Sequence, residues 1–123
     1  MRTIIKNRGR DMKYYYNLYL SDEYQNKKKS VIRKLEKKES PIDQYLIILV
    51  KEGENHLEIF NSILLKQNIY NPDELFVIGI AEGLFDAYAM VEKITQEVYN
   101  ETRTTDIKDY LLKCQRDYEE GNV

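Results

Sequence analysis

Apolar residues along the chain fall into short blocks, and the spacing inside each block differs from one to the next. Lys13 to Leu20 (KYYYNLYL) alternates, with Tyr14, Tyr16, Leu18 and Leu20 on one face and Tyr15, Asn17 and Tyr19 on the other. A period of two predicts a strand. Ser21 then offers an N-cap, and Asp22 and Glu23 suit the positive end of a helix spanning residues 22–39. Tyr24, Lys28, Val31, Ile32 and Leu35 recur at helical spacing until Ser40-Pro41 ends the run. Tyr45 to Val50 (YLIILV) does not alternate, which predicts a strand covered on both faces, as in a parallel sheet. Beyond Lys51-Glu52-Gly53, Leu57, Phe60 and Leu64, flanked by Ile59, Ile63 and Leu65, predict a broad apolar helix face within residues 54–67. Asn68 to Asp73 reads as a loop and Leu75 to Ala81 (LFVIGIA) as another strand. Leu84, Tyr88, Val91, Ile94 and Val98 mark a longer helix. Ile107, Tyr110, Leu111, Cys114 and Tyr118 mark the inner face of a last one, capped by Thr104 or Thr105.

In sequence these elements give an α/β fold, β-α-β-α-β-α-α. Its expected core is a small three-stranded, mainly parallel sheet with helices packed on it, because right-handed crossovers return each strand in the same direction. A competing all-α reading makes residues 44–67 and 74–101 long helices, but the branched run of residues 45–50 favours strands. A shift of 30 residues lays Val50-Lys51-Glu52-Gly53 over Ile80-Ala81-Glu82-Gly83, consistent with a strand–Glu-Gly–helix unit occurring twice. So small a sheet leaves an edge or a face to be covered, so a homodimer is expected.

Length and composition then narrow the class. A chain of 123 residues holds one core, assigned to residues 12–123. Residues 1–11 are basic and aperiodic, and are expected to form a flexible tail. Arg8-Gly9-Arg10 is what a purine-rich ribosome-binding site yields when translated, so Met12 is the expected native start. No apolar run approaches the ~20 residues of a membrane span. The single cysteine, Cys114, excludes an internal disulfide and fits a reducing compartment. A bacterial-type cytoplasmic protein with no membrane association is the expectation. Charge is unevenly spread: residues 1–40 carry twelve Lys/Arg against five Asp/Glu, and residues 41–123 carry seven against sixteen. A basic front and an acidic back can attract each other within the fold or between subunits.

In an open parallel sheet, ligands bind beyond the carboxyl ends of the strands. Here those ends supply Ser21, Asp22, Gly53, His56 and Gly83 as candidate ligand contacts. Glu82, Glu52 and Asp86 are the candidate catalytic groups, and Glu52 and Glu82 the candidate ligands for Mg²⁺, which takes oxygen donors. Acids at helix N-termini also stabilise the helix dipole without any ligand. No phosphate-loop or dinucleotide fingerprint is present, and no motif requires a cofactor.

Residues 76–90, FVIGIAEGLFDAYAM, resemble the first signature of Toprim domains, an apolar strand ending in Glu-Gly with Asp-Ala on the next helix. The resemblance implies metal-dependent phosphoryl-transfer chemistry, with Glu82 as acid/base. In that family a later strand carries an Asp-x-Asp pair, which the residues after 90 do not supply. Separately, the helix 22–39 carries Lys27, Lys28, Lys34 and Lys38, a face able to rest on nucleic-acid phosphates or simply to be solvated. The first expectation is a non-catalytic, dimeric binding or regulatory module for a protein or small ligand. A Mg²⁺-dependent Toprim-like enzyme and a nucleic-acid accessory protein are the alternatives.

Overall fold

A computed structural model describes residues 12–50, 57–67 and 75–121. The expected tail 1–11, the Glu52-Gly53 turn with His56, and the expected loop 68–73 lie outside the described residues. Strands β1 (Lys13–Leu20), β2 (Gln44–Val50), β3 (Glu58–Asn61) and β4 (Leu75–Glu82) form one sheet in the order β1-β4-β2-β3. β1 runs parallel to β4, while β2 is antiparallel to both β4 and β3. Helices α1 (Lys28–Glu36), α2 (Ile63–Lys66), α3 (Leu84–Thr102) and α4 (Ile107–Glu119) pack on it. The molecule is therefore mixed α/β, but the expected three-stranded, mainly parallel sheet is corrected to four mostly antiparallel strands.

Two local features explain the correction. The unalternating run at residues 45–50 does mark a strand covered on both faces. Leu46 and Ile48 face the α1 side, and Ile47 and Leu49 face the α3 side. An antiparallel strand in the middle of a sheet meets that condition as well as a parallel one. Residues 58–61 are a strand, not the first turns of a helix over 54–67, because they pair with β2 through Leu46↔Phe60 and Ile47↔Ile59. Among the described residues there, only Ile63–Lys66 is helical. In the 30-residue overlay, Phe60 therefore lies in a strand where its counterpart Met90 lies in a helix.

The first predicted helix also shortens. Asp22–Tyr24 form a single 3-10 turn, and α1 begins only at Lys28. Ser21 makes no side-chain cap bond to this turn because its hydroxyl is engaged with β4 and α3. Val31 and Leu35 are the buried residues of α1 and join Leu18, Leu46, Val77 and Ile80 in one core layer. Just past the C-cap of α1 at Lys37, Lys38 has a φ of 60°, a left-handed value that a side chain opposes.

The second core layer lies on the opposite face of the sheet. Ala87, Met90, Ile94 and Val98 of α3 and Ile107 and Leu111 of α4 pack there on Tyr15, Ile47 and Ile78. Close approach is set by Gly79. A Cβ at that position would lie 2.5 Å from Met90 Sδ and 3.2 Å from Tyr19 Cβ. Opposite Gly79 the β2 ladder slips, with Ile47 facing Gly79 and Ile48 facing Val77. This bulge puts Val77 and Ile80 in one layer and Ile78 and Ala81 in the other. α4 also shields the open edge of β1, where Gln115 Oε1 accepts a hydrogen bond from Tyr16 N–H at 2.8 Å.

The inward stripe of α3 also differs from the expected one. That stripe began with Leu84 and Tyr88, but the helix buries Ala87 and Met90 and leaves both exposed. Among the described residues, no helix is long and apolar enough to cross a membrane.

Candidate functional site

Because β1 and β4 are parallel and adjacent, Ser21 and Glu82 emerge side by side. Because β2 is antiparallel to them, its first residue, Gln44, and Asp43 just before it arrive at the same end, with Gln44 opposite Glu82. Val50 lies opposite Leu75, at the far end of the sheet. The parallel pairing of β2 with β4, on which the expected grouping of Glu52, Gly53 and His56 with Glu82 rested, is corrected to an antiparallel one. Those three residues themselves lie outside the described ones.

Ser21 organises the corner. It is 5 % exposed, its Oγ accepts a hydrogen bond from Glu82 N–H at 2.8 Å, and it donates one to Asp86 Oδ2 at 2.8 Å. Its own N–H bonds Ile80 O at 3.2 Å. One hydroxyl thus joins the ends of β1 and β4 to the first turn of α3. Gly83 makes the turn between β4 and α3 with φ of 87°, a conformation suited to glycine, and donates its N–H to Asp43 O at 2.8 Å. On the other side of that segment, Asn61 Nδ2 donates to Ile42 O at 2.7 Å. The backbone bearing Ile42 and Asp43 is held from both sides.

Carboxylates converge on this frame. Glu82 is held above the ordinary carboxylate range by the charge of Glu23 first, then by partial loss of hydration, a shared hydrogen bond with Glu23, and the charges of Asp43 and Asp86. Among the described residues none of these four acids has a Lys or Arg within ion-pair distance. The Tyr24 hydroxyl sits in the same field. Burial raises its pKa most, the Gln44 amide works against that, and Glu82, Asp43 and Glu23 add to it. Gln44 is 2 % exposed. Its Nε2 donates to Tyr24 Oη at 3.3 Å, and its Oε1 has no hydrogen-bond partner among the described residues.

A polar cleft of about 450 Å³ opens beside the corner between β1 and α3, lined by Asn17, Tyr19, Ser21, Asp86, Lys93 and Glu97. The Tyr19 hydroxyl donates to Glu97 Oε1 at 2.5 Å, so the wall groups satisfy one another. Chemistry here is limited. Ser21 is buried and doubly bonded, and no imidazole stands near it among the described residues. The described residues contain no group of three or more His, Cys, Asp or Glu placed to hold a metal ion. The strand–Glu-Gly–helix unit behind the Toprim resemblance is formed by β4 and α3, and the next element among the described residues is α4, a helix.

The sequence-predicted residues thus divide. Ser21, Asp22, Glu82, Gly83 and Asp86 meet at one corner. Lys27, Lys28, Lys34 and Lys38 are exposed on and around α1, and an open groove of about 540 Å³ runs past Asn26, Lys27, Lys28, Lys29, Ser30 and Arg33. Asp43, Gln44 and Tyr24 were not singled out by sequence reasoning, because their place depends on β2 running antiparallel. Cys114 stands beside Tyr15 and Tyr110, half-buried, with no cation among the groups acting on either phenol. Comparison of the chain with protein families, characterised proteins and solved structures finds no match in any of the three.

Proposed function

We propose that the chain is a non-catalytic binding module that docks another protein on the outward stripe at the start of α3. The observation carrying this reading is the exposure of Phe85 at 89 %, with Tyr88 at 58 %, Leu84 at 42 % and Ile42 at 68 %. Phe85 and Leu84 lie three and four residues before Tyr88, so the three side chains are neighbours on one helix surface. The bond from Gly83 N–H to Asp43 O brings Ile42 alongside. Single exposed apolar side chains are ordinary, but a contiguous set with two aromatics is the composition of a binding hot spot. A second copy of the chain is one form of such a partner, which keeps the homodimer within this reading. The polar corner supports binding over catalysis, since its hydroxyl and backbone donors are consumed in holding the frame.

A photo-crosslinking amino acid at position 85 or 88, expressed in the full chain, tests the reading. Discrete adducts from these positions, absent when the crosslinker replaces Lys34 and lost when Leu84 is changed to Asp, are expected. Equal labelling from all three positions, or none from positions 85 and 88, would end the proposal. An adduct of twice the chain's mass identifies a second copy.

A further inference from the structure

We infer that the partner of the α3 stripe is a cationic segment with its own apolar anchor, an Arg- or Lys-bearing stretch of another protein beside a large apolar side chain. This rests on the docking role proposed for the stripe and names the chemistry of what docks. The stripe runs into the carboxylate corner: Leu84 follows Gly83 directly, Glu82 precedes it, and Ile42 adjoins Asp43. An apolar side chain seated over Phe85 and Tyr88 therefore brings its flanking residues against Glu23, Asp43 and Glu82.

Those three carboxylates have no cation of their own among the described residues. Their frame is fixed by Asn61, Gly83 and Ser21, so the negative charge is held in place before a partner arrives. With Asp86 they form no group placed to hold one metal ion. A guanidinium, planar and with five donors, can instead bridge carboxylates spaced more widely. The chain's own basic helix is a poorer occupant. It supplies charge, but no large apolar residue of α1 is among the exposed ones.

The test uses the full chain and a library of short random peptides, with selection against a Phe85→Asp variant whose fold is checked by circular dichroism. Peptides that need Phe85 and are enriched in Arg or Lys next to Leu, Phe or Trp are expected. Their binding weakens with added salt and falls roughly three- to tenfold in an Asp43→Asn, Glu82→Gln double variant, while Lys34→Gln leaves it unchanged. Phe85-dependent peptides without cationic enrichment would overturn the inference and leave the docking surface standing. So would light scattering that shows a dimer split by Phe85→Asp, since the partner would then be a second copy. No Phe85-dependent peptide, together with a monomer, would sink the inference and the docking reading together.

Discussion

The acidic corner and the basic helix carry similar concentrations of charge, but they came by them in different ways. On α1, Lys28, Lys29, Arg33 and Lys34 stand on the outer face of a helix whose opposite face is buried through Val31 and Leu35. Each cation sits on a long flexible stem and can turn into water, so the cluster costs the fold little. At the corner, Glu23, Asp43, Glu82 and Asp86 are short side chains placed by three strand ends and a helix start. The frame brings them together whether or not their charges favour it, and the raised pKa of Glu82 records the conflict. Charge that follows from amphipathic patterning says little about function. Charge forced together by topology marks a place where something else can relieve it.

If this contrast is right, α1 depends on its inner face and not on its lysines. Leu35 is fully buried among Leu46, Val77 and Ile80. Leu35→Ala should cost about 2–5 kcal/mol in urea unfolding, from lost burial plus the cavity left behind. Replacing Lys28 and Lys34 by Gln should stay within roughly 0.5 kcal/mol of the parent protein. A large loss from the lysine changes would mean that the basic face is structurally engaged, and the contrast would fail.

The corner should depend on one hydroxyl. Ser21→Ala removes the acceptor for Glu82 N–H and the donor to Asp86 Oδ2, leaving both to find other partners in a partly buried setting. A loss of about 1–3 kcal/mol is expected. Ser21→Thr keeps the hydroxyl and should recover part of it. If Ser21→Ala is neutral, the carboxylates are not held by this frame, and the preorganised corner has no basis.

Legibility in the sequence followed the range over which each feature is decided. The strands at residues 13–20, 45–50 and 75–81 and the helices at residues 84–102 and 107–119 are set by local periodicity, and reading the residues alone finds them. Strand direction is decided by partners far away in sequence, and an unalternating apolar run reports burial without direction. That ambiguity hid the meeting of Asp43 with Glu82. Leu57, Phe60 and Leu64 fit a helix by spacing, but pairing with β2 outweighed local preference for residues 58–61. On α3 two starts compete for one inward stripe that continues through Ile94 and Val98: the expected Leu84–Tyr88, and Ala87–Met90. The tight seat at Gly79 takes the second one, through Met90, and leaves the first outside, where a partner can reach it.

A gain of stability can separate the two regions further. Lys38, just past the end of α1, has a positive φ, where a Cβ is strained and glycine is not. Lys38→Gly should raise stability by about 0.5–1 kcal/mol, although it removes a cation from the basic region. The gain comes from backbone conformation and is read from the urea midpoint. A loss on Lys38→Gly would mean that the contact Lys38 makes outweighs its backbone strain, and the basic region would then be structurally engaged.

Glu82→Gln should give the smallest change, and its pH dependence is the sharpest test of crowding. With its folded pKa raised above the unfolded value, Glu82 binds its proton more tightly in the native state. Its contribution is fully present below the ordinary carboxylate range and is lost as pH rises through the raised folded value. Glu119 runs the other way. The Gln115 amide first, and then Lys13, hold it below the ordinary range, so its contribution is present above that range and fades as acid is added. Glu82→Gln should therefore match the parent protein's urea midpoint at about pH 4 and exceed it slightly at about pH 7. Glu119→Gln should fall below the parent protein at neutral pH and converge with it in acid. Equal midpoints for Glu82→Gln and the parent protein at both values would show that the carboxylates do not crowd one another. The corner would then differ from α1 in the sign of its charge alone, and the case for a cationic partner would lose its physical ground.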